Sequence, residues 1–353
     1  ECAVSTGVVF VAARYQARTL VDIPHIARQV IREVGYDDKD FNARTSSILT
    51  SLIELPPEVP AVDESALSDA QVEAVGARHS ATLFGYACTH TPAFLPLPIW
   101  LAHKLARRLS AVRLTRQLPY LRPDAKAQVA VVFQNRRPVR IHSVTLLVSH
   151  TASGVPPAAQ LAQALRAQVI EPVFRDEAVR PDADTRVYVN PEGPFEIGGP
   201  AVHAGLTGRK NAIDTYGEYA RHSGAALSGK DPSRIDRTGA YAARHAAKNV
   251  VAAGLADECE VLLSYAIGQA RPVSVQVETF GTGRVSDTEI GARLEAQFDF
   301  RPAAIVRAFN LRQLPALTKG GFYRRLAAYG HVGRMDIGLP WERTDKTALL
   351  GSV

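Results

Sequence analysis

Apolar residues recur at helical spacing between residues 21 and 35. The residues that form this stripe are Ile23, Ile26, Ala27, Val30, Ile31 and Val34. Such spacing places them on one face of a helix. Pro24 near the start and Gly35 at the end are residue types that favour helix boundaries. The pattern predicts an amphipathic helix here, preceded by a strand-like apolar run at residues 7–13.

Two further apolar runs, at residues 128–134 and 143–149, have the composition of strands. A polar turn at residues 135–138 lies between them, so we expect a hairpin. Residues 55–75, in contrast, mix Pro, Asp, Glu, Ser and Ala without a clear period. They predict a long mobile loop, of the kind that often forms a lid over an enzyme's active site.

Alanine-rich segments at residues 157–173 and 238–255 predict two more helices. Strands are expected to follow at residues 260–267 and 273–280. Because strand pairs alternate with helices, the pattern favours an α+β fold in which helices cover one face of each sheet.

Composition and charge narrow the class of protein. A chain of 353 residues is long enough for two or three domains, and its apolar share of 46% and charged share of 22% are typical of a globular protein. No apolar run is long enough to span a membrane and no secretory pattern begins the chain, so we expect a cytoplasmic protein. The three cysteines, Cys2, Cys88 and Cys259, are far apart and predict neither disulfides nor a zinc site.

The net charge of +6 is spread along the chain without the aromatic interleaving of a nucleic-acid module. An anionic small molecule explains it better. Residues 206–216 (LTGRKNAIDTY) and 226–237 (ALSGKDPSRIDR) place five cations and several carboxylates around glycine-containing turns. Lys and Arg neutralise phosphate oxygens, Gly lets the backbone approach, and Asp can hold a bridging metal. These segments predict a site for a polyphosphate and its Mg²⁺.

The same two segments closely resemble the S-adenosylmethionine synthetase (methionine adenosyltransferase) family. The resemblance runs from end to end of the chain, through residues 21–24 (VDIP), 83–87 (LFGYA), 118–126 (LPYLRPDAK), 251–257 (VAAGLAD), 264–268 (SYAIG), 279–282 (TFGT) and 327–331 (AAYGH). It implies three α+β domains related by pseudo-threefold symmetry, each a sheet with helices on its outer face. It also implies that sheets pack across a dimer interface and that active sites lie between subunits.

The implied domains are built from discontinuous pieces of chain. We expect a central domain from residues 1–62 and 199–238, an N-terminal-type domain from 90–198, and a C-terminal-type domain from 63–89 and 239–353. The family also carries a Gly-His-Pro-Asp-Lys motif upstream of the point where this chain opens with Glu1. We therefore expect a further segment before Glu1 in the full protein, and the alternative is a protein that lacks half of the metal site.

In this family the sulfur of methionine attacks C5′ of ATP and expels triphosphate, which is then hydrolysed to phosphate and diphosphate. Cations and Mg²⁺ stabilise such a leaving group directly, and K⁺ is a further candidate cofactor. By motif match, the residues implied to contact phosphate and promote catalysis are Lys126, Arg209, Lys210 and Lys230, with Arg234 where the family has Lys. Asp236 and Glu1 match metal ligands, Phe195 matches the aromatic residue that stacks on adenine, and Asp124 is also retained.

The positions that recognise the amino acid differ from the family in a consistent direction. Arg14, His79 and His203 replace three carboxylates, and Leu55 replaces a glutamine. A charge pair at about 4 Å is worth roughly 4 kcal/mol at an effective dielectric near 20, so reversing its sign beside an ammonium group disfavours methionine strongly. Taken singly, either histidine is more often a structural residue, and together they are only a weak signal for metal.

Three hypotheses for function follow. The leading one is an ATP- and Mg²⁺-dependent adenosyltransferase that uses a nucleophile other than ordinary methionine. The second is an orthodox S-adenosylmethionine synthetase in which other groups compensate for the substitutions. The third is a non-catalytic subunit that dimerises with an active paralogue. All three predict small-molecule ligands or a related subunit as partners, and a homodimer or a dimer of dimers for the enzyme.

Overall fold

The computed structural model describes residues 1–17, 19–55 and 64–351. Its strands are β1 (Cys2–Ser5), β2 (Val8–Tyr15), β3 (Ser47–Glu54), β4 (Ala81–Cys88), β5 (Leu121–Gln134), β6 (Arg137–His150), β7 (Arg186–Val189), β8 (Gly205–Leu206), β9 (Glu258–Tyr265) and β10 (Ser274–Glu278). Its helices are α1 (Ile23–Val34), α2 (Asp69–Glu73), α3 (Leu97–Leu114), α4 (Ala158–Leu165), α5 (Glu171–Phe174), α6 (Asn211–Asp214), α7 (Ile235–Ala252), α8 (Asp287–Gln297), α9 (Pro302–Ala308), α10 (Leu314–Leu317) and α11 (Thr347–Leu350). The fold is α+β, as the sequence predicted.

The chain forms two compact units. The first comprises Glu1–Pro60 and Leu101–Arg209, and the second comprises Ala61–Trp100 and Lys210–Val353. The three-domain division expected from the sequence stays a prediction. In the described part of the chain, no helix is both long and apolar enough to cross a lipid bilayer.

The first unit holds a four-stranded sheet in the order β3-β2-β1-β8. β2 runs parallel to β3, with Val8 opposite Ser47, and antiparallel to β1. Helix α1 covers one face of this sheet, where Ile31 packs with Val9 and Phe41. The helix begins after Asp22, whose side chain accepts a hydrogen bond from the His25 backbone, and ends at Gly35 in a left-handed conformation, φ +95°. The predicted amphipathic helix is confirmed.

A second sheet in the first unit has the order β5-β6-β7. The long strands β5 and β6 form the predicted hairpin, whose turn places Asn135 and Arg136 at positive φ. The helix predicted at residues 157–173 is interrupted by a π-helical turn, Arg166–Ile170. Pro172 has no N–H to bond the carbonyl of Gln168, which instead accepts a hydrogen bond from Arg108 Nε at 2.7 Å.

The second unit is built on a sheet with the order β10-β9-β4, which confirms the two strands expected around residues 260–280. Helix α7 packs against this sheet and is buried along almost its whole length. Gly85 on β4 permits this close packing, because a Cβ there would lie 2.0 Å from the Ala243 backbone. The helix predicted at residues 238–255 is therefore confirmed, and it starts three residues earlier.

Some elements were predicted wrongly or not at all. Within the segment expected to be a loop, residues 56–63 lie outside the described residues, but Asp69–Glu73 form α2. This helix begins with a capping box in which Ser68 and Gln71 bond each other's backbone. Strand β4 and the 18-residue helix α3 were not predicted. The signal for α3 was present, because Leu97, Leu101, Leu105, Leu109 and Val112 recur at helical spacing and are all buried.

Candidate active site

A cluster of three charged or ionisable side chains lies in the second unit, at the start of α7. Lys230 Nζ lies 2.5 Å from Asp236 Oδ2, and His79 Nε2 lies 2.8 Å from the same oxygen. Asp236 is 8% exposed and stands in the first turn of the helix, where the helix dipole favours a carboxylate. The turn before α7, held by a hydrogen bond from Arg234 N to Asp231 O, brings Lys230 back onto Asp236.

His79 donates to Asp236 through Nε2, since a carboxylate only accepts. Its other ring nitrogen, Nδ1, is buried and has no hydrogen-bond partner within the described residues. The sequence placed His79 at the amino-acid end of the site and Asp236 at the metal. In the structure the two side chains are direct partners.

Asp236 can supply one oxygen to a magnesium ion. Oδ1 has no hydrogen-bond partner in the described part of the chain, whereas Oδ2 accepts from both neighbours. Mg²⁺ is commonly held by one or two carboxylates together with substrate phosphates. No group of three or more His, Cys, Asp or Glu is placed to bind a metal within residues 1–17, 19–55 and 64–351. The residues thus fit an ion shared with phosphates rather than a cage built by protein alone.

Glu1, the second metal ligand implied by the resemblance, is exposed beside β1 in the first unit. Its backbone pairs with Ala12, and within the described residues its side chain lies in no cluster of three or more His, Cys, Asp or Glu that could hold a metal.

The turn that carries Arg209 and Lys210 is fixed to the sheet of the first unit. Thr207 donates its backbone N–H to Cys2 O, and its hydroxyl oxygen accepts from Cys2 N, both at 3.0 Å. Gly208 occupies the turn at φ +82°, a conformation that favours glycine. The turn therefore presents Arg209 from a rigid support, and both cations are exposed.

Lys126 and Arg234 are exposed as well. Within the described residues, neither they nor Arg209 and Lys210 form an ion pair with a carboxylate. Four of the five cations predicted to bind phosphate are thus free of internal neutralisation, and the fifth, Lys230, is paired with Asp236.

Asp124 and the loop that carries Phe195 lie together in the first unit. A Cβ on Gly198 would stand 2.2 Å from Asp124 Oδ2, so the loop backbone packs directly on this carboxylate. Phe195 itself is half-buried, and its carbonyl accepts a hydrogen bond from His150 N at 3.2 Å. The Tyr36 hydroxyl lies beside Gly199, and burial, with the charge of Asp124, raises the pKa of that phenol.

Of the four positions predicted to differ from the family, three lie in the first unit and one in the second. Arg14 is the last residue but one of β2 and pairs with Ile53 of β3, and Leu55 follows β3 and donates its backbone N–H to Tyr15 O at 2.8 Å. His203 precedes β8, which is level with the other end of β2, roughly 17 Å away along the strand. His79 belongs to the second unit. The structure brings Arg14 and Leu55 together, but not with His203.

Two residues near Lys230, the buried His331 and the half-buried Ser228, were not predicted to take part in the site. His331 contacts the Ser228 hydroxyl and the Tyr241 hydroxyl, at 3.0 and 2.8 Å. Ser228 lies two residues before Lys230, and His331 ends the motif at residues 327–331. The motif similarity could have drawn attention to them, but no local pattern relates positions 103 residues apart.

Comparison with known proteins identifies the family. Residues 74–195 match the model of the S-adenosylmethionine synthetase central domain, and residues 197–343 match that of its C-terminal domain. S-adenosylmethionine synthases of Thermosynechococcus vestitus and Trichormus variabilis are each 48% identical to the chain, over 99% of its length and 87% of theirs. The corresponding synthase of Gloeothece citriformis is 46% identical over the same shares. The chain belongs to the S-adenosylmethionine synthase family.

Proposed function

We propose that the chain is an ATP-dependent adenosyltransferase. A nucleophile attacks C5′ of ATP, the C5′–O bond breaks, and triphosphate leaves with the electron pair before it is hydrolysed to phosphate and diphosphate. The observation that carries the proposal is the pairing of Lys230 with Asp236. These two side chains are already in contact, and the other predicted phosphate-binding cations are exposed and have no carboxylate partner in the described part of the chain.

The cations stabilise charge where it develops. Lys126, Arg209, Lys210 and Arg234 are free to contact phosphate oxygens, and each such charge-assisted bond grows stronger as the leaving group separates. Asp236 holds the Lys230 ammonium in place and offers its second oxygen to metal. Magnesium, when bound, supplies further neutralisation of the triphosphate.

The loop that carries Phe195 binds the nucleoside end of ATP in this proposal. A half-buried aromatic ring on a loop supported by Asp124 provides a flat apolar surface for adenine. Because Gly198 leaves no space between the loop and Asp124, the position of the loop depends on that carboxylate.

For the nucleophile, we propose an acid or another molecule without an α-ammonium group. Arg14 is exposed and has no ion-pair partner among the described residues, so its charge is available to a ligand. His79 donates a hydrogen bond to Asp236. A carboxylate at position 79 would instead repel Asp236 and could bind an ammonium group. The orthodox alternative, methionine as nucleophile, is supported by the 48% identity to proteins named S-adenosylmethionine synthase.

We also propose that a second copy of the chain covers the open face of the sheet β3-β2-β1-β8. Helix α1 packs on the other face. The apolar side chains on the open face, 39–56% exposed, are Val8, Phe10, Leu49, Ile53 and Leu206. They form one flat apolar surface, which a lone protein in water rarely exposes. Arg14 lies on the same face as Phe10, so a partner seated there would approach it.

One experiment tests the reaction. The purified chain is incubated with ATP and Mg²⁺, with and without methionine and with a panel of thiol and thioether acids, and all adenosyl products are identified by mass spectrometry. We expect triphosphate or its hydrolysis products together with an adenosyl product that lacks the α-ammonium group. Failure to bind ATP in calorimetry would remove the enzyme hypotheses together.

A further inference from the structure

Three buried or half-buried side chains in the second unit form a continuous hydrogen-bonded chain. Tyr241 Oη lies 2.8 Å from His331 Nδ1, and His331 Nε2 lies 3.0 Å from Ser228 Oγ. Both ends of the His331 backbone are also fixed, because its N–H donates to Asp214 O and its carbonyl accepts from Trp341 Nε1. The ring of Tyr241 stacks on Trp341 with centroids 3.6 Å apart. The imidazole is thus held rigidly.

His331 is neutral at physiological pH. Burial, together with the nearby cations Arg237 and Arg334, lowers the pKa of its imidazole from 6.5 to about 3. A neutral imidazole carries one N–H and one acceptor nitrogen, so its two hydrogen bonds must run in the same direction along the chain.

Tyr241 decides that direction. Its hydroxyl is fully buried and its pKa is raised well above the usual value, so it keeps its proton. Within the described residues, His331 Nδ1 is the only acceptor it contacts. If Nδ1 carried the proton instead, the phenolic hydrogen would be buried without a partner, at a cost of about 1–3 kcal/mol. Nδ1 therefore accepts, and Nε2–H donates to Ser228 Oγ.

Ser228 must then direct its own proton elsewhere. Its oxygen already accepts from His331, and no other acceptor within the described residues contacts its hydroxyl. Ser228 lines a cavity of about 600 Å³ together with Lys230 and Arg237. The Ser228 hydroxyl can therefore donate its hydrogen bond to a ligand that binds in this cavity, beside the Lys230 ammonium. A donor next to a cation is suited to an oxyanion.

We propose that the Ser228 hydroxyl is a hydrogen-bond donor to the phosphate chain bound by Lys230, and that Tyr241 and His331 are positioning residues that fix its direction. The inference rests on the proposed function, since it names a further binding residue of the same site. The Ser228 hydroxyl is a neutral donor, so it adds a directional hydrogen bond to the site without adding charge.

The first test measures binding of inorganic triphosphate with Mg²⁺ to the full chain by calorimetry. Ser228→Ala should weaken binding about tenfold or more, because a hydrogen bond to a charged group is lost. Ser228→Thr keeps the hydroxyl and should restore most of the affinity. Ser223→Ala, an exposed serine of the same loop that does not line the cavity, is the matched control and should bind as the wild type does.

The outcomes separate the two proposals. Wild-type affinity in Ser228→Ala would overturn this inference and leave the proposed function standing. No binding of triphosphate by the wild type would overturn both.

The second test does not depend on activity. Nitrogen-15 NMR of the wild-type chain should show His331 as the Nε2–H tautomer, unchanged between about pH 5 and 8. An Nδ1–H tautomer would overturn the inference. Tyr241→Phe removes the proton that sets the direction, so His331 should lose its single tautomer. Triphosphate binding should then weaken, although Tyr241 does not line the cavity. Unchanged binding in a variant whose tautomer had changed would contradict the positioning role.

Discussion

His79 Nε2 lies 2.8 Å from Asp236 Oδ2, the same oxygen that Lys230 Nζ approaches at 2.5 Å. A carboxylate matched to a metal-binding role therefore has two donors on one oxygen and none, among the described residues, on the other. His79 and Asp236 are 157 positions apart, and their contact joins the loop before β4 to the first turn of α7. It couples a position predicted to differ from the family to one predicted to be retained.

The sign of the charges predicts that methionine is a poor substrate. We expect little or no S-adenosylmethionine from the natural chain. A measurable gain is expected from the combined variant Arg14→Glu, Leu55→Gln, His79→Asp and His203→Asp. The single changes should give much less, because residues of one site act as a unit. Mass spectrometry of the products measures this. Methionine-dependent turnover of roughly 1 s⁻¹ or more by the unmodified chain would favour the orthodox alternative.

Loss of Lys230 or Lys210 should weaken nucleotide binding. Lys230→Ala also leaves Asp236 with His79 as its one partner among the described residues, so the carboxylate would repel phosphate more strongly. We expect about 10- to 100-fold weaker binding of ATP with Mg²⁺ for either variant. Lys319→Ala is the control, since this lysine is also exposed in the second unit and should leave the affinity unchanged. Calorimetry at fixed ionic strength distinguishes a local contact from a general effect of charge.

Gly198→Ala should disturb the Phe195 loop. The new Cβ would overlap Asp124 Oδ2, which it would approach to 2.2 Å, so either the loop or the carboxylate must move. Overpacking of this kind costs about 1–3 kcal/mol. We expect weaker ATP binding with triphosphate affinity largely retained. Gly205→Ala places its Cβ in open space and is the control. Equal loss of affinity for both ligands would show that the loop does not serve the nucleoside end.

The apolar sheet face should hold a dimer together. Phe10→Asp places a charge at the centre of that face, and light scattering should then detect a monomer, provided circular dichroism shows that folding is intact. Leu317→Asp introduces the same charge at a residue that is 72% exposed in the second unit, and should leave the assembly unchanged. A wild-type monomer at micromolar concentration would contradict the expected assembly.

Stability should fall in acid through Glu342. This buried carboxylate bonds Arg244, Lys248 and the Gly333 backbone, and the two cations lower its pKa from 4.5 to about 2. A depressed pKa stabilises the folded state above the unfolded value, and that contribution disappears as pH falls from about 4.5 toward 2.

Replacing the charge tests this account. Glu342→Gln should lower the free energy of unfolding at pH 7 by about 3–5 kcal/mol, because it leaves Arg244 buried without a counterion. Glu289→Gln removes an exposed pair with Arg293 and should cost under about 0.5 kcal/mol. Urea unfolding at pH 7 and pH 3 measures both variants. A Glu342→Gln variant that keeps the wild-type loss of stability in acid would show that another group titrates.

Local patterns in the sequence predicted the helices and strands that have one buried face and one face exposed to water. Helix α1 was evident because one side meets the sheet and the other meets water, and the β5–β6 hairpin because a polar turn separates two apolar runs. The motif similarity likewise predicted the phosphate-binding cations as a group, from their order along the chain. Helix α3 was overlooked although its leucines, Leu97, Leu101, Leu105 and Leu109, recur at helical spacing and face the core.

Only the tertiary structure decided which side chains meet. His79 joins Asp236, and Tyr241, His331 and Ser228 form one chain, because β4 and residue 331 are brought to α7 by packing between segments far apart in sequence. The donor and acceptor roles along this chain depend on the buried Tyr241 hydroxyl, which has no second acceptor among the described residues. Only the folded environment determines which acceptors a buried hydroxyl can reach. The amino-acid sequence by itself specified the chemistry available to this protein, while the fold determined which partner each reactive group has.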